Sequence, residues 1–299
     1  MRRKFHTLDV FTETALAGNS LAVVIDCEGL DDKRMQAIAR EFNLAETVFV
    51  FEPHDPVNTA RLRIFTPGRE LQFAGHPTIG TAVLLAKLRA PELLVREDLR
   101  IVVEEGVGDI VCVARHRPNQ APAAYFTLPR LPEPIGEAPP VEALALLLGL
   151  APADIGFGAH RPSVYSAGTP FMFVPIADRA ALAKARPNAN SWGENGGPAV
   201  YLYTSEAENA GSSFRARMFA AGWGVVEDPA TGSAVAAFAG ALMRFARPAD
   251  GDSTYVIEQG FEMGRPSLIS LGLEVENGSL RAATIGGSAI MICEGAINA

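Results

Sequence analysis

The chain has 299 residues, of which 48% are hydrophobic and 20% charged, with a formal net charge of -8. That length exceeds one ordinary core and suits two domains of about 150 residues each. The acidic balance excludes a general nucleic-acid or anionic-membrane binder, which needs a basic footprint, although a local site can oppose the global charge and take a small anion.

In chain order, the opening MRRKFHTLDVF has no apolar run behind its basic residues, so it reads as a first strand and not a signal peptide. Peripheral helices are expected at 31–42, 140–149 and 179–186. The stretch NLAETVFV places Glu46 between the end of an amphipathic helix and an apolar strand, where desolvation raises a carboxylate's pKa toward general acid–base use. In RLRIFTPG, Arg61, Arg63 and Phe65 alternate with apolar residues as on a half-buried strand. GHPTIGTAV then opens a helix, with Pro77 expected at its first position. RIVVEEGVGDIVCVARH reads as strand, turn, strand. The proline-rich stretch 117–140 carries the boundary between an N-terminal lobe, 1–118, and a C-terminal lobe, 119–299, whose last strand can return to the first lobe. In the second lobe PAVYLYTSE is a strand, EDPATGSAV opens a second apolar helix, and Asn277-Gly278 marks a hairpin. The longest apolar stretches, AVAAFAGALM and LALLLGLA, are about half a membrane span, so no membrane partner is expected and the protein is read as cytoplasmic. Cys27, Cys112 and Cys293 are odd in number and widely spaced, which suits neither a disulfide framework nor a zinc site; they read as buried small hydrophobes. Phe73 and Trp223 read as core residues.

The chain repeats itself. VFTETALAGNSLAVV resembles VYSAGTPFMFV, offset by 150 from Ala17 to Ala167; RLRIFTPG matches RARMFAAG at 154; GHPTIGTAV matches EDPATGSAV at 152. Three collinear blocks at nearly constant offset predict two related lobes. Both phrases begin helices that are small and apolar nearly all round, hence buried along their length. A buried helix wrapped by antiparallel strands, twice, is an α+β architecture. Related lobes facing each other across a pseudo-twofold cleft would bring both helix N-termini to one place, where unpaired N–H groups hold a carboxylate. Gly75, Gly80 and Gly232 would let backbone approach the ligand, Thr81 and Ser233 add hydroxyls, and His76 and Asp228 flank it at or next to the N-caps.

At these residues the sequence resembles the phenazine-biosynthesis isomerase (PhzF) family, of diaminopimelate-epimerase-like fold, through VFTETALAGNSLAVV, NLAETVFV, RIFTPGRELQFAGHPTIGTAV, MFAAGWGVVEDPATGSAVAAFAGAL and IGGSAIMICEG. The resemblance implies two pseudo-symmetric lobes, each a mostly antiparallel barrel-like sheet around a central helix, with the active site in the cleft between them. It implies Glu46 as the acid/base that moves a proton on a cyclic amino-acid substrate, assisted by His76 and Asp228, with Gly75, Thr231, Gly232, Ser233 and Asn19 binding substrate. It implies no metal or organic cofactor, no nucleic-acid partner, and a homodimer. Two departures stand out. Ala45 precedes Glu46 where many members have Ser, and neither phrase holds the Cys that two-thiol epimerases of this fold require. The leading expectation is therefore an isomerase acting on a small, cyclic amino or hydroxy carboxylate. The alternatives are an epimerase or racemase using Glu46 and either His76 or Asp228 as its two bases, or a binding protein on the same scaffold.

Overall fold

The computed structural model describes residues 2–188, 199–223 and 225–298, the side chain of Trp223 excepted. The chain divides into two compact units, residues 1–127 with 286–299, and residues 128–285. The first contains β1 (Arg2–Val10), β2 (Asn19–Val24), α1 (Asp32–Phe42), β3 (Glu46–Phe51), β4 (Ala60–Phe65), β5 (Glu70–Leu71), α2 (Gly75–Arg89), α3 (Pro91–Leu94), β6 (Leu99–Glu105), β7 (Gly108–Arg115) and β8 (Ala123–Thr127). The second contains β9 (Glu133–Pro134), α4 (Val141–Leu148), β10 (Ser163–Ser166), β11 (Pro170–Pro175), α5 (Arg179–Lys184), β12 (Ala199–Thr204), β13 (Phe214–Ala220), β14 (Val225–Asp228), α6 (Gly232–Phe245), β15 (Gly251–Gln259) and β16 (Ser267–Glu276). The long β17 (Ser279–Asn298) begins in the second unit and ends in the first.

Strand pairing closes the first unit into a barrel. β1 pairs with β2, then β3, β4, β6, β7, β8 and β17 follow, and β17 returns to β1. α2 runs against β1, β2, β3, β6, β7 and β8. Its residues Gly75 through Ala86 are all buried, as a helix apolar on every side requires. Gly80 is needed there because a Cβ would come within 2.7 Å of both Val10 and Leu21. Its role is close packing of helix on strand, which corrects the expected role in ligand approach.

The second unit repeats the same grammar. β10–β11 is antiparallel like β1–β2, and β11–β12 parallel like β2–β3. β12–β13 is antiparallel like β3–β4, and β13–β15 parallel like β4–β6. The register agrees too: Arg61 faces Glu104 as Arg215 faces Glu258. α6 packs on β9, β10, β11 and β16, and a Cβ at Gly240 would meet the Tyr165 ring at 2.3 Å.

Polar details are duplicated as well. Glu104 accepts hydrogen bonds from the N–H groups of His54 and Asp55 and from the Asn58 amide. Glu258 accepts the same set from Glu208, Asn209 and the Asn209 amide. Arg63 grips Glu70 with two nitrogens, and Arg217 grips Glu227 likewise. The Asn277-Gly278 turn joins β16 to β17 with both residues at positive φ, 53° and 71°, the pairing that suits a hairpin's twist. The three expected peripheral helices are α1, α4 and α5; α3 was not foreseen. Cys27 and Cys112 are buried, but Cys293 is exposed beside Thr7, so the expectation of three buried cysteines holds for two. Phe73 is half-buried and packs edge-on against Phe126; the Trp223 side chain lies outside the described residues. No helix among the described residues is long and apolar enough to cross a membrane.

Candidate active site

A helix leaves its first N–H groups without intrahelical partners, and most helices cover them with a side chain. Two of the peripheral helices do so: Asp31 accepts from the Arg34 N–H at the start of α1, and Asp178 from Ala181 at α5, whereas α3 and α4, opened by Ala90 and Pro140, have no side-chain cap. The two central helices also lack one. Neither Ala74 before α2 nor Thr231 before α6 makes a side-chain cap. Each buried helix therefore begins with an uncapped turn and a partial positive charge suited to an anion.

The phrases differ in where their helices start. α2 begins at Gly75, so His76 lies inside the first turn; α6 begins at Gly232, so Asp228 ends β14, three residues ahead of Thr231. Pro77 and Pro229 are thus not first helical residues, and neither His76 nor Asp228 is an N-cap. The cause is local bonding. The Thr78 N–H and hydroxyl both reach the Ala74 carbonyl and draw α2 back. In the second phrase the Gln259 amide holds the Asp228 carbonyl at 2.7 Å and the Thr231 hydroxyl at 2.9 Å, which keeps residues 228–231 out of the helix.

In the first unit three expected site residues meet. α1 ends at Asn43 in the left-handed conformation, and the chain turns to deliver Glu46 as the first residue of β3, paired with Leu21 of β2. Asn19 is the first residue of β2 and is buried. His76 Nε2 lies 3.2 Å from Glu46 Oε2, and His76 Nδ1 lies 3.5 Å from the Asn19 amide nitrogen. An amide NH₂ can only donate, so Nδ1 accepts and the ring hydrogen sits on Nε2, the nitrogen nearer Glu46. Burial lowers the His76 pKa to about 3, so the imidazole is neutral near neutrality. The Glu46 side chain is 17% exposed, open enough to meet a substrate. This is a carboxylate held beside a neutral N–H donor, at the uncapped start of a buried helix.

In the second unit Asp228, Thr231 and Gly232 form a compact group. The Thr231 hydroxyl donates to Asp228 Oδ2 at 2.5 Å, and the Thr231 N–H donates to Gln259 Oε1 at 3.2 Å. Thr231 is therefore engaged in fixing Asp228. Gly232 and Ser233 supply the first two N–H groups of α6. Thr81 falls in the second turn of α2 and is fully buried. Burial pushes the Cys27 thiol up to about 12 and raises Cys112 too, so neither is a ready thiolate. No cluster among the described residues could hold a metal ion.

Two residues escaped the sequence reading. Glu105 bonds to Thr78 beneath the first turn of α2, and Gln259 serves the second phrase. The signal was present as a fourth repeat block, VVEEG at 102–106 against VIEQG at 256–260.

The profile of the phenazine biosynthesis-like protein family (PhzC-PhzF) matches residues 8–295. An uncharacterised isomerase of Mesorhizobium japonicum is 47% identical over 98% of both chains. The trans-2,3-dihydro-3-hydroxyanthranilate isomerase of Pseudomonas aeruginosa is 33% identical, again over 98% of both. Among solved structures, a Bacillus anthracis phenazine biosynthesis protein of the PhzF family superposes with a TM-score of 0.88 over 100% of both chains, at 24% identity.

Proposed function

This chain belongs to the phenazine biosynthesis-like (PhzC-PhzF) family and is an isomerase, and on that premise we propose that it shifts a proton on a small, cyclic amino or hydroxy carboxylate through Glu46. The observation that carries this reading is the Glu46 carboxylate against the neutral, buried His76 at the uncapped start of α2. Glu46 takes a proton from one carbon. The electron pair left behind spreads into the conjugated system toward the substrate carboxylate, and Glu46 returns the proton at another carbon. His76 Nε2 stands 3.2 Å from the Glu46 carboxylate as a neutral neighbour, and Asn19 fixes the ring's tautomer. Gly75 at the start of α2 supplies an N–H group for an anionic part of the substrate, and Gly232 and Ser233 offer the equivalent groups at the start of α6. Thr231 acts by holding Asp228, to which we assign an assisting role as a hydrogen-bond acceptor. We also assign the working form to a cytoplasmic homodimer, which sedimentation of the purified protein tests.

The test uses trans-2,3-dihydro-3-hydroxyanthranilate, the compound in the names of the Pseudomonas relatives, together with other cyclic amino and hydroxy acids, in deuterated water. Isomerisation moves a double bond and changes absorbance, and deuterium enters to the extent that the Glu46 proton exchanges with solvent before its return. Epimerisation exchanges one stereocentre with no such change and would replace this reading. Glu46→Gln keeps the shape and removes the proton carrier, so the rate falls ~10²–10⁴-fold. A Gln variant turning over at the wild-type rate would make Glu46 structural.

A further inference from the structure

The Glu105 carboxyl is buried at the end of β6, and one of its oxygens, Oε2, has no hydrogen-bond partner. Its other oxygen lies 2.7 Å from the Thr78 hydroxyl, which lies 2.8 Å from the Ala74 carbonyl. A threonine hydroxyl has one hydrogen, and a carbonyl can only accept. If Thr78 gives its hydrogen to Ala74, the hydrogen between Thr78 and Glu105 must belong to Glu105. A buried carboxylate with one bare oxygen is costly; the neutral acid is far less so. The second unit supports the same assignment. Register places Gln259 where Glu105 stands, and Gln259, neutral by nature, donates its amide hydrogen to the Thr231 hydroxyl, which passes its own to Asp228.

We propose that Glu105 is a neutral carboxylic acid and a positioning residue: it donates to Thr78, Thr78 donates to Ala74, and this chain sets the first turn of α2 and with it His76. The consequence for catalysis rests on the proposed role of His76, but the hydrogen-bond chain does not. Ionisation of Glu105 would reverse the chain, because Thr78 would then turn its hydrogen from Ala74 to the carboxylate. Burial pushes the Glu105 pKa up to about 8, which puts that reversal on the alkaline side of neutrality. The groups facing it are Thr78 from α2 and Cys112 from β7, whose thiol is raised by its own burial and by Glu105; Glu104, its strand neighbour, is turned to the 54–58 loop.

The test needs no substrate, so its failure is separate from failure of the proposed reaction. In infrared difference spectra of wild type against Glu105→Gln at pH 7, a protonated carboxyl band is expected; a carboxylate band instead overturns the proposal. By hydrogen exchange, the amides of Thr78 and Ile79 should open about tenfold faster in Glu105→Ala, while Glu105→Gln stays within about threefold of wild type. Compared at equal pH, wild type should lose protection relative to Glu105→Gln as pH rises past about 8. The His76 ring nitrogen shifts should report an Nε2–H tautomer in wild type and Glu105→Gln, and a mixture in Glu105→Ala. Unchanged tautomer and protection in folded Glu105→Ala, or a Gln variant as loose as the Ala variant, overturns the positioning role. If Glu105→Ala does not fold, the infrared band and the pH dependence of wild type against Glu105→Gln still decide.

Discussion

Removing a charge from the same ion pair in each unit should have different costs, because the two pairs differ in burial. Arg217 is 5% exposed and Glu227 14%, joined by bonds of 2.8 and 2.9 Å. The third guanidinium nitrogen of Arg217 is turned to the carbonyls of Leu182 and Ala185. Arg63 and Glu70 have the same two-pronged geometry at 2.6 Å, but are 23% and 33% exposed, and Arg63 has a second carboxylate, Asp32, at 2.7 Å. Breaking a buried pair strands a desolvated charge and costs about 3–5 kcal/mol, whereas a solvated pair contributes ~0–1 kcal/mol. Glu227→Gln, which keeps shape and one carbonyl acceptor, should therefore destabilise by about 3 kcal/mol, and Glu70→Gln by about 1 kcal/mol or less. Urea unfolding at unchanged m-value measures both. If the two units unfold separately, each cost should appear in its own transition. Equal costs, or a larger cost at Glu70, would refute the assignment of the difference to desolvation.

Three further outcomes are expected. Gly80→Ala puts a methyl within 2.7 Å of Val10 and Leu21 and should lower stability by about 1–3 kcal/mol in thermal or urea melts; a neutral effect would mean that α2 shifts freely. His76 has a folded-state pKa of about 3 against an ordinary 6.5, so as pH falls through that window the unfolded chain takes up a proton that the native state refuses. Its contribution is complete above about 6.5 and is lost toward 3, so wild type should lose more stability over that range than His76→Gln, by up to ~1.4 kcal/mol per pH unit, and parallel pH profiles would contradict the burial argument. A triple variant with Ser at Cys27, Cys112 and Cys293 should keep turnover per folded molecule, since none of the three lies in either phrase; loss of turnover in a folded single variant would revive a thiol mechanism.

What the sequence made legible was the duplication and the chemistry carried by local phrases. Small apolar residues on nearly every side marked α2 and α6 as buried, and Gly turns marked the hairpins, because these signals sit within a few residues of each other. What it hid depends on pairing across distance. That His76 faces Glu46 requires β3 to lie beside β2 with Glu46 against Leu21. That Asp228 stands outside its helix depends on Gln259, 31 residues later in the chain. Glu105 looked like one more strand carboxylate, since nothing local to VVEEG says which face Glu104 and Glu105 occupy; only the counterpart VIEQG, with an amide in the second position, distinguishes them.

β17 has a consequence for how the chain is made. The first barrel includes residues 286–298, which pair with Arg2–Val10 at the opposite end of the sequence. During synthesis β1 through β8 emerge with α2 among them, yet the staves on either side of the seam, β8 and β1, stay unjoined until β17 has left the ribosome. The second unit, residues 128–285, is contiguous and has its strands in hand earlier. The unit that holds Glu46 and His76 should thus be the last to acquire its native form, despite being translated first. Until then its exposed strand edges are the segment of the nascent chain most in need of a chaperone.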